Sequence, residues 1–135
     1  MSGERTLPIR WDLTGEDAII QGADWRRYAA LTYIDPADGL EKLWNTTGFT
    51  GRMQIRAGLD GALISTFLTG TGRLTVGIQG TAPDQYNVGI VLPNSVTVAL
   101  TDWGLGVYDL ELTDPFGIIT RVYAGNCVLS REVTV

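Results

Sequence analysis

Acid–base chemistry in this chain would fall to carboxylates, because the 135-residue sequence contains no histidine and a single cysteine. Without histidine, Ser-His and Cys-His nucleophile pairs are excluded, and so are histidine-based zinc sites; one cysteine cannot form a thiolate cage. Asp109 and Glu111 are spaced to lie on one strand face, as an acid–base pair can. A half-exposed strand places charges there without catalysis, so we expect no enzyme and no catalytic residue.

Two further clusters have simpler interpretations than ion binding. Asp35 and Asp38 lie in the segment Asp35-Pro36-Ala37-Asp38-Gly39, but they miss the ligand spacing of a calcium loop, so a plain turn is favoured. Gly70-Thr71-Gly72 lacks the downstream lysine of a phosphate-binding loop and is typical of a hairpin turn. The sequence therefore predicts no metal site and no cofactor.

Aromatic and arginine side chains are better candidates for binding. Each tryptophan lies near a predicted strand end or loop, where its ring can stack on a sugar or anchor a partner protein; core packing is the alternative. These residues are Trp11, Trp25, Trp44 and Trp103. Because side chains alternate along a strand, one of Arg26 and Arg27 should face solvent, and the other should pair with a carboxylate or cap a carbonyl.

The elements that would position these residues are short strands. Tyr108, Leu110 and Leu112 alternate with polar residues, as in a strand with one face on a core. Asp114-Pro115-Phe116-Gly117 then predicts a turn, and residues 118–124 alternate again. This pattern predicts a β-hairpin.

Alternation recurs through the rest of the chain. Thr50–Arg56 predicts a half-buried strand with Met53 and Ile55 inward. Leu63–Leu68 is apolar on both faces, which indicates a strand covered from both sides or an interface. Residues 93–100 are ambiguous, because their types favour a strand but their position suits a crossover with a short helical turn. Eight or nine strands at intervals of about ten residues predict an all-β antiparallel sandwich.

We expect one domain over residues 1–135, with a short extended N-terminal arm of about residues 1–17 in which Pro8 confines any strand to a sheet edge. Gly106-Val107-Tyr108-Asp109-Leu110 resembles the tyrosine corner of immunoglobulin-like domains, whose tyrosine hydroxyl bonds to upstream backbone. An ordinary core tyrosine is the alternative. The predicted fold is thus an immunoglobulin-like β-sandwich.

Composition excludes several classes of function. The chain is 44% apolar and 19% charged, which is typical of a globular domain. Its net charge is −5, with one lysine among ten basic residues, which argues against nucleic-acid or membrane partners. The first residues lack an apolar segment and no run approaches a membrane span, so we expect neither a secretion signal nor a transmembrane helix. Cys127 is predicted to be a buried thiol.

Two blocks of the sequence carry a family resemblance. The first contains Gln21-Gly22-Ala23-Asp24-Trp25, the turn ending at Gly39, and TGFTGRMQIR at residues 47–56. The second is the VYDLEL-DP-G-TR-GN-V-S-EVT pattern of residues 107–134. Together they resemble small structural proteins of tailed-bacteriophage virions, whose immunoglobulin-like domains occur in baseplate and tail-fibre-attachment proteins. Phe49 and Gly51 depart from the tyrosine and alanine usual in that family.

The resemblance implies a virion structural protein, assembled in the bacterial cytoplasm, that acts as an adaptor or connector at the tail baseplate or fibre attachment. Its partners would be other virion proteins, bound in many copies of a symmetric assembly. The chain ends at Val135, directly after the domain, which favours a small adaptor over a fibre. A capsid decoration protein and a carbohydrate-binding module for host glycans are the alternatives. The candidate interface residues are Pro8, Trp11, Trp25, Trp44, Leu63, Phe67 and Trp103.

Overall fold

The computed structural model describes residues 7–58, 61–81, 84–100 and 105–131, which form strands joined by turns and one short helix. The first strands are β1 (Ile9–Arg10), β2 (Ile19–Ile20), β3 (Trp25–Ala29), β4 (Thr32–Ile34), β5 (Glu41–Leu43) and β6 (Thr50–Arg56). The chain continues with β7 (Leu63–Leu68), β8 (Leu74–Gln79), β9 (Tyr86–Leu92), helix α1 (Asn94–Thr97), β10 (Leu105–Thr113) and β11 (Ile119–Ser130). The all-β class and the short helical turn are confirmed.

The main sheet has the strand order β1-β11-β10-β6-β7, and β2 pairs with the far end of β11. Its inner face is apolar where the sequence predicts: Tyr108, Leu110 and Leu112 are buried, as are Met53 and Ile55. The described strands number eleven rather than eight or nine. One reason is that residues 25–34, which alternate in the sequence like one strand, divide into β3 and β4, which belong to different sheets.

A second layer covers the apolar face of the main sheet. It consists of the three-stranded sheet β3-β9-β8, and the β4–β5 hairpin forms a separate two-stranded sheet. Trp25, Leu74, Val88, Ile90 and Leu92 from this layer share one hydrophobic core with the main sheet. The described residues form no closed barrel, and the predicted β-sandwich is confirmed. The immunoglobulin-like assignment stays a prediction.

The described part of the expected N-terminal arm is largely built into the main sheet. β1 pairs with β11 in parallel at a sheet edge, and the backbone N–H groups of Trp11 and Leu13 donate to Ala124 (2.9 Å) and Asn126 (2.8 Å) carbonyls. These parallel pairings depart from the predicted wholly antiparallel arrangement. Trp11 and its neighbours therefore already have a sheet partner within their own chain.

Tyr108 connects this N-terminal segment to β10 through a side-chain hydrogen bond. Its hydroxyl donates to the Trp11 carbonyl at 2.5 Å, 97 residues upstream, whereas in a tyrosine corner the acceptor lies only a few residues upstream. Tyr108 is thus a core tyrosine that links β10 to the N-terminal segment. Burial raises its pKa. Burial also raises the pKa of the nearby Cys127 thiol to about 12, as its predicted place in the core implies.

Candidate docking surface

The turn between β10 and β11 carries the most exposed large apolar residue of the described chain. Phe116 is 91% exposed, and the next two apolar residues, Ile118 and Ile119, are 63% and 59% exposed. We call the segment Asp114–Ile119 the tip. A contiguous exposed apolar patch on a folded domain often marks an interaction site, so the tip is the first candidate for function.

Hydrogen bonds to Asp114 fix the conformation of the tip. Its Oδ1 accepts the backbone N–H groups of Phe116 (2.8 Å) and Ile118 (2.9 Å). Its own N–H donates to the Ile118 carbonyl (2.9 Å), and its carbonyl accepts the Gly117 N–H (3.0 Å). Gly117 has φ +87°, which glycine adopts without strain. The apolar side chains are therefore presented on an ordered turn.

Two grooves flank the tip. One, of about 350 Å³, is lined by Ile119 together with Leu68 of β7 and the threonines 50 and 113. The other, of about 540 Å³, is lined by Ile118 together with Tyr33, Trp44 and Phe49. Ile118 and Ile119 thus border opposite sides of the hairpin. The tip forms a wedge between two partly apolar grooves at one end of the sandwich.

The outer face of the main sheet is charged, in contrast to the tip. Arg52 lies opposite Glu111 and forms an ion pair with it at 2.7 Å, which raises the pKa of Arg52. Arg121 pairs with Asp109 at 3.3 Å. These side chains line a shallow groove of about 860 Å³ on this face. Arg10 also lines the groove, and it pairs with Asp12 at 3.0 Å. Asp109 and Glu111 share one face as predicted, and an arginine engages each of them.

The acidic turn at residues 35–39 is a plain turn in the structure. Lys42 Nζ lies 2.8 Å from a carboxylate oxygen of Asp35 and 2.8 Å from one of Asp38. Its hydrogen bonds hold the pKa of both carboxyls below the ordinary value. An ammonium group thus occupies the position between the carboxylates. The described residues contain no group of three or more side chains arranged to hold a metal ion.

Arg27 behaves as the sequence predicts for the paired member of Arg26 and Arg27. Its Nε donates to Asp17 at 2.9 Å, and its two terminal nitrogens donate to the carbonyls of Arg26 and Glu16. The guanidinium carbon also lies 5.1 Å from the centre of the Trp25 ring. These contacts bind β3 to the segment that precedes β2, so Arg27 is a structural residue.

The sequence-predicted interface residues are scattered in the structure. Trp25 and Phe67 are buried in the core at 2% and 4% exposure, so neither ring is available to a partner. Trp11 is half-buried and packs edge-on against Tyr123. Trp103 lies outside the described residues. Pro8 and Leu63 are exposed, and Trp44 lines one groove beside the tip.

Sequence reasoning missed Phe116, Ile118 and Ile119 as site residues. It identified their segment as a turn and stopped there. The available signal was composition: three of four consecutive residues are large and apolar at a place where turns usually carry polar residues.

No protein-family model matches this chain, and a search of curated proteins finds none with significant sequence similarity. Within the described residues, no helix is long and apolar enough to cross a bilayer.

Proposed function

We propose that this protein is a non-enzymatic assembly subunit that docks by inserting its tip into an apolar pocket of another protein. The observation that carries the proposal is Phe116, which is 91% exposed on a turn held by hydrogen bonds to Asp114. The Phe116 ring is barely buried in its own domain, so its transfer into a partner's pocket would remove apolar surface from water and stabilise the complex. Full burial of such a side chain contributes about 1.5–3 kcal/mol.

The ordered turn adds to this advantage. Binding costs conformational entropy whenever a loop must be ordered, and a loop that is already ordered avoids that cost. The grooves on either side of the hairpin extend the apolar area of the tip from Ile119 to Leu68 and from Ile118 to Trp44. A buried aromatic anchor with smaller apolar neighbours is the usual composition of a binding hot spot.

Charge favours a protein partner over a lipid surface. The tip carries one charged residue, Asp114, and the whole chain has a net charge of −5. An anionic membrane would therefore repel the protein rather than attract it.

The described aromatic residues give less support to the carbohydrate-binding alternative. That function calls for at least two coplanar exposed rings, but Trp25 is buried and Trp11 meets Tyr123 at an interplanar angle of 65°. Tyr28 is exposed, but its ring lies against Tyr86 with centroids 4.4 Å apart. Each ring of that pair partly covers the other instead of extending a platform.

The proposed context is a bacteriophage virion, with an adaptor or connector role at the tail baseplate or fibre attachment. Its support is the sequence resemblance: the last part of the first block includes β6, and the described part of the second block, residues 107–131, covers most of β10 and all of β11. These strands are neighbours in the main sheet, and the second block includes the tip. Partners would be other virion subunits. Decoration of the capsid surface is the second candidate, supported by the same resemblance.

The test measures whether the protein is incorporated into phage particles and into which part. Particles assembled with tagged wild-type protein are separated into heads and tails, and each fraction is analysed by mass spectrometry. The same is done for Phe116→Asp and for Leu40→Asp, a matched control at an apolar turn residue that is 60% exposed on the β4–β5 hairpin. Circular dichroism melts verify that both variants fold.

We expect the wild type and Leu40→Asp in the tail fraction and Phe116→Asp in neither fraction. Recovery in the heads alone would replace the tail role with capsid decoration. Absence of the wild-type chain from particles would refute the virion role. Incorporation of Phe116→Asp at the wild-type level would refute docking through the tip.

A further inference from the structure

The two grooves beside the tip differ in how their charges are compensated. The groove lined by Ile119 also contains Arg52 and Glu111, which form an ion pair with each other at 2.7 Å. The groove lined by Ile118, which we call the aromatic groove, contains one carboxylate, that of Asp114, and no arginine or lysine among the described residues that line it. The aromatic groove therefore holds a negative charge that its own walls do not balance.

One oxygen of the Asp114 carboxylate is available to a ligand. Oδ1 accepts the backbone N–H groups of Phe116 and Ile118, whereas Oδ2 bonds to no described residue. Oδ2 is not buried either, so a donor can reach it from solvent. Asp114 can thus hold the turn with one oxygen and accept a further hydrogen bond with the other.

Aromatic carbon surface lies in the same groove. Tyr33, Trp44 and Phe49 line it and are half-buried, and the last two also pack against the core. The Nε1 atom of Trp44 is buried, so this ring presents carbon to the groove and not its N–H group. The faces of aromatic rings attract cations that lie within about 6 Å of the ring centre.

We infer that the partner which receives the tip places an arginine side chain in the aromatic groove, where its guanidinium lies on the aromatic surface and donates to Asp114 Oδ2. This inference rests on the proposed function and names the chemistry of the partner at the same site. Docking of Phe116 would bring the partner over Asp114, two residues away, and remove water from its carboxylate. A carboxylate that is buried without a positive partner costs free energy, so the partner has to supply the cation.

A guanidinium group suits this groove better than the other side chains a partner could offer. It is planar and weakly hydrated, it stacks on aromatic rings, and its donors match a carboxylate. The ammonium group of lysine is a compact and strongly hydrated charge, so it loses more hydration on a ring surface. An apolar side chain would cover the carboxylate of Asp114 without pairing it, and an acidic one would repel it.

The first test uses acetyl-arginine N-methylamide as the probe, so it does not require the partner to be known. The probe is titrated into isotope-labelled wild-type protein, and the signals of the groove residues are followed by NMR, including the indole N–H signal of Trp44. We expect these signals to shift and to saturate, with a dissociation constant in the millimolar range. The citrulline analogue has the same shape without the charge and should bind about fivefold more weakly. The lysine analogue should also bind more weakly than arginine.

Two variants and a matched control locate the binding site. Asp114→Asn keeps an Oδ1 acceptor for the turn but removes the charge, and Trp44→Leu removes the ring. Each should weaken binding of the arginine probe about threefold or more. The control is Asp35→Asn, the same change in the other hairpin turn, whose carboxylate pairs with Lys42 and does not line the aromatic groove. It should bind the probe like the wild type. Unchanged amide shifts of Phe116 in Asp114→Asn verify that the tip keeps its conformation.

The second test measures incorporation into phage particles, as for the tip itself. Asp114→Asn should be incorporated about threefold less than the wild type, and Asp35→Asn at the wild-type level. Loss of Phe116→Asp from particles together with normal incorporation of Asp114→Asn would overturn the inference and leave docking through the tip intact. Probe binding in the aromatic groove together with normal incorporation of Phe116→Asp would refute docking through the tip and keep the arginine site.

Three results of the titration would overturn the inference. They are a probe that shifts no signal of the aromatic groove, a citrulline analogue that binds as tightly as the arginine probe, and equal binding of the arginine probe by the wild type and Asp114→Asn. Equal affinity for the lysine analogue would overturn the assignment of the cation to arginine.

Discussion

Two hairpins of this protein have turns with a similar hydrogen bond to the first aspartate, but one turn carries charged side chains and the other carries exposed apolar ones. β4 and β5 join through Asp35-Pro36-Ala37-Asp38-Gly39, and β10 and β11 join through the tip. In each turn, the Oδ1 of the first aspartate accepts the N–H two residues on, at 2.9 Å for Ala37 and 2.8 Å for Phe116. The first turn is closed by Lys42, whereas the second carries exposed apolar side chains. The Asp-Pro pair determines the turn, and the residues after it determine what the turn presents.

The hairpins also differ in how they are attached. β10 and β11 are central strands of the main sheet. The β4–β5 hairpin is a separate sheet, and the buried side chain of Asn87 fastens it to β9. The Asn87 amide accepts the Leu31 N–H (2.7 Å) and donates to the Leu31 and Trp44 carbonyls (2.9 Å each). One hairpin is thus held in its sheet by backbone ladders, whereas the other is fastened to β9 by side-chain hydrogen bonds.

Asn87→Ala should have the largest effect on stability. It removes three hydrogen bonds and takes from the Leu31 N–H and the Trp44 carbonyl the partner that Asn87 supplies, while the Leu31 carbonyl keeps the Trp44 N–H. Each lost bond to a buried group costs about 1 kcal/mol or more, so we expect the free energy of unfolding to fall by about 3 kcal/mol, measured by urea denaturation. Hydrogen exchange should accelerate in β4 and β5 and remain slow in β10. Equal acceleration of hydrogen exchange in both hairpins would contradict the difference in how they are attached, by backbone ladders for β10–β11 and by side-chain hydrogen bonds for β4–β5.

Glycine substitutions should affect the two turns alike. Gly39 has φ +70° and Gly117 has φ +87°, and an added Cβ would meet no atom within 4 Å at either position. The cost of alanine is therefore conformational, about 1 kcal/mol in each turn. Thermal melts of Gly39→Ala and Gly117→Ala should show similar losses, and asparagine should restore part of each. A loss confined to one turn would show that the two are not equivalent.

The sequence predicts both turns because Asp-Pro and glycine act locally. It also predicts the inward faces of β6 and β10, because Met53 and Leu110 repeat with the period of a strand. The pairing of Arg27 follows from the same alternation. These features depend on residues near one another in the chain, or on one face of one element.

What sequence reasoning did not predict depends on distant segments. The Asn87 side chain bonds to backbone 43 and 56 residues away, and nothing in its sequence neighbourhood indicates that role. Trp25 was a surface candidate, but it lies on the inner face of the second sheet and packs in the core shared with the main sheet. Leu63–Leu68 was assigned either to a covered strand or to an interface, and the choice required knowing that β7 is the last strand of its sheet. Burial depends on the whole fold. The interface candidates chosen by residue type alone are therefore scattered between the core and separate parts of the surface.

Acid should weaken the β4–β5 turn more than the tip. Lys42 lowers the pKa of Asp35 and Asp38 relative to the unfolded chain. The stabilisation is therefore present above the unfolded value of about 3.9 and is lost as pH falls through the folded values. Stability of the wild type should decline below about pH 4. Lys42→Met should flatten that decline.

Asp12, whose pKa is lowered first by the Asn126 N–H, contributes an acid dependence that both proteins retain. The informative quantity is therefore the difference between the two pH profiles. Identical slopes for wild type and Lys42→Met between pH 5 and 2 would show that the ion pairs do not couple to folding.

The smallest expected change in stability comes from moving the exposed phenylalanine from one turn to the other. Phe116→Ala removes a ring that touches little of its own fold, and Ala37→Phe adds one at an exposed position of the other turn. Surface substitutions of this kind usually change the free energy of unfolding by no more than about 0.5 kcal/mol. Docking should be lost in Phe116→Ala and should not return in the double variant, because no residue of the 35–39 turn lines either of the two grooves that flank the tip. Docking retained by Phe116→Ala would place the contact elsewhere, and a destabilisation above about 1 kcal/mol would show that the ring belongs to the fold.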